Sequence, residues 1–256
     1  LVIGRFYTSA QLGQYTRAQQ FNTIFSSNLT AVVQRVSYPV LSCIQDEPAR
    51  LKEAYRRVIK VTMLVTFACM LGLAAVAKPL VVLLIGEKWL PAVGFLQIMC
   101  FYGMLYPLHS LNLNMLQVKG RSDLFLRLEV VKKIIAVGPL MLGVFVSIKW
   151  MLAGSVVTSF VAYFLNSYYS ADLVDYPTRE QITDWLPTFL VSLLVSAAMW
   201  SLSLTALPYP LLLPLQCVVG LALAILIYER LRLPEYMEVR QLALSAFRRL
   251  GGRKRA

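Results

Sequence analysis

Arg17 and Arg35 stand eighteen residues apart within the stretch Gln14 to Ile44, and they are the residues best placed in this sequence to do chemistry. Eighteen residues make five turns of α-helix, so both guanidinium groups fall on one face, about 27 Å apart along the axis. Gln20, Asn28, Ala31 and Gln34 lie on or near that face. Guanidinium groups bind phosphate oxygens through paired, charge-assisted hydrogen bonds, so the stripe suits a phosphate or pyrophosphate. The separation means that one headgroup meets the two arginines in succession and not together. The competing reading is that both side chains snorkel toward opposite headgroup layers and bind nothing.

A second polar patch contains His109, Asn112, Asn114 and Gln117, with His109 and Asn112 on one face at i,i+3. Hydrogen bonding between helices is the commoner role for such residues in a membrane, and lining a pore is the alternative. Glu129 and Lys133, at i,i+4, read as a local ion pair and not a proton relay. No other carboxylate falls well inside an apolar run, so the coupling site of a proton- or sodium-driven transporter is not on display. His109 is the single histidine, which excludes a His-rich metal site. Cys43, Cys69, Cys100 and Cys217 form no C-x-x-C pair and read as small packing residues. A phosphate-binding glycine loop, H-E-x-x-H and G-x-S-x-G are all missing, so no catalytic residue, metal or cofactor is expected.

The elements that carry these residues follow from composition. The 256 residues are 58% hydrophobic and 15% charged, with a mean hydropathy of +0.63. Soluble domains are less apolar and carry more charge, so a soluble globular enzyme, a disordered tail and a coiled coil are excluded. A polytopic membrane protein remains, all-α, with about seven spans of the roughly 20 apolar residues that a bilayer core requires. The expected spans are Gln14 to Ile44, Tyr55 to Ile85 with a break at Lys78 and Pro79, Pro91 to Leu116, Phe125 to Ile148, Met151 to Val174, Trp185 to Leu207 and Tyr209 to Tyr228. Pro39, Pro107 and Pro139 fall inside spans, where kinks are tolerated.

Charge then sets the expected topology. Arg50, Lys52, Arg56, Arg57 and Lys60 follow the first span, and Lys119, Arg121, Arg127, Lys132 and Lys133 follow the third. More basic residues, Arg230 through Arg255, follow the seventh, and the intervening loops are poor in Lys and Arg. This alternation places the basic loops and the C-terminus in the cytoplasm. It also accounts for most of the net charge of +12, and the dispersed basic residues lack a recognition fold, so no nucleic-acid partner is expected. Trp89 and Trp150 in outer turns, Trp185 at an inner boundary and Trp200 near an outer one read as interfacial anchors. Pro234 to Leu250 reads as a surface-lying amphipathic helix ahead of the cluster Arg253, Lys254, Arg255. The sequence opens on Leu1 in what reads as the end of an apolar segment, and so as the C-terminal part of a longer chain, without a signal peptide.

Several strings, in order, carry a family resemblance. They are Gln11-Leu12-Gly13-Gln14-Tyr15, Val36-Ser37-Tyr38-Pro39-Val40-Leu41-Ser42, Gln45-Asp46 leading into Arg50-Leu51-Lys52 and Tyr55-Arg56-Arg57, Gly86-Glu87-Lys88-Trp89 with Pro91, Leu111-Asn112-Leu113-Asn114, and Gly120-Arg121-Ser122-Asp123-Leu124. Together they resemble the Wzx-type lipid-linked oligosaccharide flippases of the MOP exporter superfamily, most closely the colanic-acid type. The resemblance is good over Leu1 to Val146 and rests on topology thereafter.

It implies the second bundle of a MATE/MOP-type transporter (residues 1–174), two additional transmembrane helices (175–229) and a basic cytoplasmic tail (230–256). It also implies a non-enzymatic protein of the bacterial inner membrane that flips undecaprenyl-pyrophosphate-linked oligosaccharides by alternating access, for polysaccharide or lipopolysaccharide biosynthesis. The expected partners are that lipid-linked oligosaccharide pyrophosphate, membrane lipids and other polysaccharide-assembly proteins. The candidate substrate-binding residues are Arg17, Gln20, Asn28, Gln34, Arg35, His109, Asn112 and Asn114. An integral-membrane polymerase or glycosyltransferase, or a drug exporter of the same fold, are the alternatives. The first would need a large outward loop or an acidic metal motif, the second carboxylates within the membrane.

Overall fold

The structure is a computed structural model that describes residues 2–205 and 207–241. A short helix α1 (Val2–Phe6) precedes α2 (Ser9–Cys43), whose start is fixed by a capping box between Thr8 and Gln11. There follow α3 (Pro48–Ile85), α4 (Leu90–Gly103), α5 (Tyr106–Val118), α6 (Ser122–Ile135), α7 (Val137–Phe145), α8 (Ile148–Val174), α9 (Thr178–Ser201) and α10 (Tyr209–Leu231). No strand occurs among the described residues, so the all-α expectation holds. The chain is a multi-pass membrane protein.

Among the described residues, five segments are long and apolar enough to cross a bilayer: Pro48–Ile85, Glu87–Val118, Ile148–Val174, Thr178–Leu204 and Tyr209–Leu231. They correspond to five of the seven expected spans. The other two fall short for separate reasons. α2 has the length, at 35 residues, but carries too many polar side chains. The expected span from Phe125 to Ile148 is divided into α6 and α7, of 14 and 9 residues. Pro139, lacking an N–H, has nothing to give the Ile135 carbonyl, and the helix breaks at Ala136. The same chemistry parts α4 from α5, where Pro107 has no N–H for the Gly103 carbonyl.

At Lys78 and Pro79 the expected break does not occur. α3 runs on to Ile85, with Pro79 buried, and Gln97 of α4 donates to the Ala74 carbonyl at 3.2 Å beside the interrupted ladder. α3 instead stops at Gly86, whose φ of 94° is open to a residue without a side chain.

α3 is the hub. It packs along α9 and α4, with α2 and α10 against its flanks, and α5 and α8 complete the interior. An aromatic cluster of Phe67, Tyr163, Trp185 and Phe189 joins α3, α8 and α9. Trp185 is therefore no interfacial anchor: it is buried, and its indole N–H donates to the Tyr163 hydroxyl at 3.3 Å. Trp150 and Trp200 are exposed, as anchors must be.

Lipid offers helices no hydrophobic reason to associate, so close packing and polar contacts hold the bundle together. Small residues mark the tightest approaches. A Cβ at Gly103 would lie 2.5 Å from Asn22 Oδ1 and 2.7 Å from Met70 Cε, where α2, α3 and α4 meet. One at Gly220 of α10 would overlap the Met199 sulfur of α9.

Of the expected tail helix, 234–241 is helical. It lies against protein: Tyr236 stacks on Tyr228 at 5.5 Å, and Val239 joins the apolar cluster of α3, α9 and α10. The remainder of that expectation, including Arg253, Lys254 and Arg255, lies outside the described residues.

Candidate functional site

α2 divides into two faces. Ala18, Asn22, Ser26, Thr30, Ser37 and Leu41 are buried against the bundle, a stripe that winds along the helix at nearly four-residue spacing. The opposite face is uncovered and polar over its first half. Thr16, Gln19, Gln20, Thr23, Ser27 and Asn28, with the apolar Ile24 among them, line a shallow open groove of about 600 Å³ on the surface of α2 itself.

Arg17 lies at the start of this face. Its NH1 donates to Gln20 Oε1 at 3.0 Å, and its guanidinium carbon sits 5.3 Å from the centre of the Trp89 ring. Lys88 lies 5.6 Å from the same ring, and Gln14 donates to the Lys88 carbonyl at 2.9 Å. Cation–π contact thus holds Arg17 at the turn between α3 and α4 without neutralising it. Arg35 is also exposed, but it lines neither the groove nor another of the cavities described below, and its neighbours Val32 and Val36 are exposed apolar residues.

Gln34 turns toward α5 and donates to the Ser110 hydroxyl. That contact edges a half-open chamber of about 550 Å³ between α2, α5, α6 and α8. Gln34, His109 and Asn114 all line it, so the structure brings three of the expected residues together. Across from them α6 contributes Glu129, Lys132 and Lys133. The ion pair forms between Glu129 and Lys132, at i,i+3, and not with Lys133. His109 Nε2 is 3.0 Å from the Ser159 hydroxyl, and Asn166 lies 3.4 Å from its Nδ1. Below the break at Ala136 a second, more apolar hollow of about 710 Å³ runs toward the far end of the bundle, with Tyr15, Tyr102 and Pro139 in its wall.

Asn112 takes a different place. It is fully buried and absent from the chamber wall. Its Oδ1 accepts from the Tyr55 hydroxyl at 2.9 Å and the Ser170 hydroxyl at 2.6 Å, and its Nδ2 donates to the Leu108 carbonyl at 3.0 Å. With three bonds made, this side chain ties α3, α5 and α8 together.

Sequence reasoning missed an ionic network at the other end of α3. Arg56 grips Asp184 of α9 with two hydrogen bonds, 2.5 Å from Nε and 2.7 Å from NH2, and reaches Glu180 at 3.1 Å. Lys52 pairs with Glu180 at 3.2 Å, and the Tyr176 hydroxyl donates to Asp184 at 2.7 Å. Burial, with the bond to Asp184 added, pushes the Tyr176 phenol far up, so it remains a donor at any physiological pH. Beside this, Lys60 meets the buried Glu235 at 3.4 Å, Thr188 donates to Glu235 at 3.0 Å, and Arg57 binds Glu238 at 2.7 Å. The basic residues after α2, read only as a topology signal, thus anchor α9 and the tail. The available signal was four carboxylates, Glu180 and Asp184 ahead of the sixth expected span and Glu235 and Glu238 after the seventh.

Against known proteins, residues 1–94 match the family described as "Polysaccharide biosynthesis protein". The teichuronic acid biosynthesis protein TuaB of Bacillus subtilis (strain 168) is 34% identical over 124 residues, 48% of this chain and 26% of TuaB. The lipopolysaccharide biosynthesis protein WzxC of Escherichia coli (strain K12) is 27% identical over 143 residues, 56% of this chain and 29% of WzxC. An uncharacterized membrane protein in the cps region of Klebsiella pneumoniae is 31% identical over 134 residues, covering 52% of this chain and 28% of the relative. Less than a third of each relative is matched.

Among solved structures, the lipid II flippase MurJ in its inward closed conformation superimposes with a TM-score of 0.70 at 14% identity, over 90% of this chain and 50% of MurJ. The fold is that of about half a MurJ chain. The resemblance to Wzx-type polysaccharide biosynthesis proteins is borne out.

Proposed function

We propose that this chain takes part in flipping lipid-linked oligosaccharide pyrophosphates across the bacterial inner membrane, for surface polysaccharide or lipopolysaccharide biosynthesis, without covalent chemistry. The observation that carries this reading is the uncovered polar face of α2, a helix as long as a membrane span and too polar for contact with lipid. Polar side chains in hydrocarbon cost several kcal/mol each when unpaired, so this face meets water, protein or a polar ligand. A pyrophosphate with its sugars faces the same penalty in crossing alone. A hydrated face with the guanidinium of Arg17 held at its start stands in for lost water, while the prenyl tail stays in lipid.

In this reading Arg17 holds the headgroup at one end of the face, where Trp89 keeps the guanidinium extended, and Gln20 and Asn28 offer hydrogen bonds along the groove. Arg35 receives the phosphates at the other end. The bundle alternates between states open to either side. The names of the relatives support the substrate class, since they include proteins of teichuronic acid and lipopolysaccharide biosynthesis, and the fold is shared with a lipid II flippase. The basic junctions and the C-terminus face the cytoplasm in this arrangement, and other polysaccharide-assembly proteins are partners.

The test is surface glycan export in cells that depend on the full-length protein. Arg17→Ala combined with Arg35→Ala is expected to reduce export while leaving membrane insertion unchanged. Normal export by that variant at normal abundance would refute the headgroup path.

A further inference from the structure

The half-open chamber between α2, α5, α6 and α8 stands apart from the groove, and its chemistry is more specific than a path for a headgroup requires. Its lining combines amides and hydroxyls with two aromatic rings, Tyr106 and Phe125. At about 550 Å³ it falls within the range of small-molecule sites.

We infer that the chamber is a binding site for one sugar residue, an inference that rests on the flippase reading and extends it. The key observation is Asn114. Its side chain lines the chamber, the residue is only 7% exposed, and its Nδ2 is buried without a partner. Leaving a buried amide donor unmet costs about 1–3 kcal/mol, so the position calls for an acceptor from a ligand. Asn112, two residues earlier, is held instead by three bonds within the protein.

The charges narrow the ligand class. Glu129 is bound to Lys132, and no other carboxylate lines the chamber, so a cation finds no free anionic partner there. The unused capacity is that of donors, the Asn114 amide and the Lys133 ammonium, and it suits the hydroxyl, ring, acyl or carboxylate oxygens of a sugar. Tyr106 and Phe125 supply apolar faces for the C–H side of a pyranose. The wall also gives a way in. Among the residues of α6 only Leu128 is buried, and Phe125, Glu129, Lys132 and Lys133 line the chamber. The chamber is half open, so a sugar reaches it without a helix having to move.

The experiment is saturation-transfer NMR on the purified full-length protein in nanodiscs, with methyl α-glucopyranoside, N-acetylglucosamine and glycerol as probes. At least one sugar is expected to bind saturably, and glycerol not. Asn114→Leu should weaken that binding roughly tenfold, and Leu113→Trp, which fills the chamber, should abolish it, both with unchanged melting. Should one variant not fold, the other decides. No saturable sugar binding, equal binding of glycerol, or binding unaffected by the folded variant would overturn the inference. The Arg17→Ala, Arg35→Ala protein separates the two readings. Intact sugar binding with intact export in that protein defeats the headgroup path alone. Lost export with no sugar binding by the unmodified protein defeats the chamber alone.

Discussion

Arg56 holds Asp184 with two nitrogens, and Tyr176 supplies a third bond to the same carboxylate, so three helix ends depend on one buried acid. Removing the acid leaves a guanidinium and a phenol without their acceptor. Asp184→Leu should therefore lower stability by roughly 2–4 kcal/mol, read as a fall in melting temperature in nanodiscs; the figure sits below that for a fully buried pair because Arg56 is 42% exposed. Adding Arg56→Met should recover part of the loss, since the orphaned charge goes with it. Asn112→Ala belongs to the same class and should cost about 1–3 kcal/mol in melting, with sugar binding retained by the folded protein. The sequence alone could not separate Asn112 from Asn114, because helical spacing places residues on faces but does not say which neighbour a face meets. The groups that complete Asn112 lie on α3 and α8, and only the tertiary fold brings Tyr55 and Ser170 to it.

At the scale of helices, the long apolar segments were legible because length and hydropathy alone decide them. The breaks were not. Pro79 and Pro107 look alike in sequence, yet α3 continues through the first, where Gln97 of α4 supports the neighbouring ladder, and the α4–α5 unit parts at the second. A proline's effect depends on what surrounds the carbonyl it leaves unpaired. The charged turns were likewise read as a topology signal only, since their carboxylate partners come from α9 and the tail. Packing at the crossing of α2, α3 and α4 gives a sharp prediction. Gly103→Val forces side chains into the space of Asn22 and Met70, and should destabilise the protein by about 1–3 kcal/mol in a melting experiment. Gly72, with open space around it, should accept alanine with little change.

Taken as one body, the molecule is a bundle with α3 at its centre and one long polar helix at its edge. The edge position of α2 explains how a sequence so polar is tolerated at membrane depth: half its circumference packs into the bundle, and the other half faces a groove. In the proposed transporter this outer half is wet. A cysteine scan tests it most directly, with single cysteines from Gln19 to Arg35 in the full-length protein in intact membranes, probed by a water-soluble maleimide. Labelling is expected at Gln20, Thr23, Ser27 and Asn28, in the middle of the helix, and protection at Asn22, Ser26 and Thr30. Labelling confined to the two ends, with Thr23 to Asn28 as unreactive as the buried stripe, would contradict it.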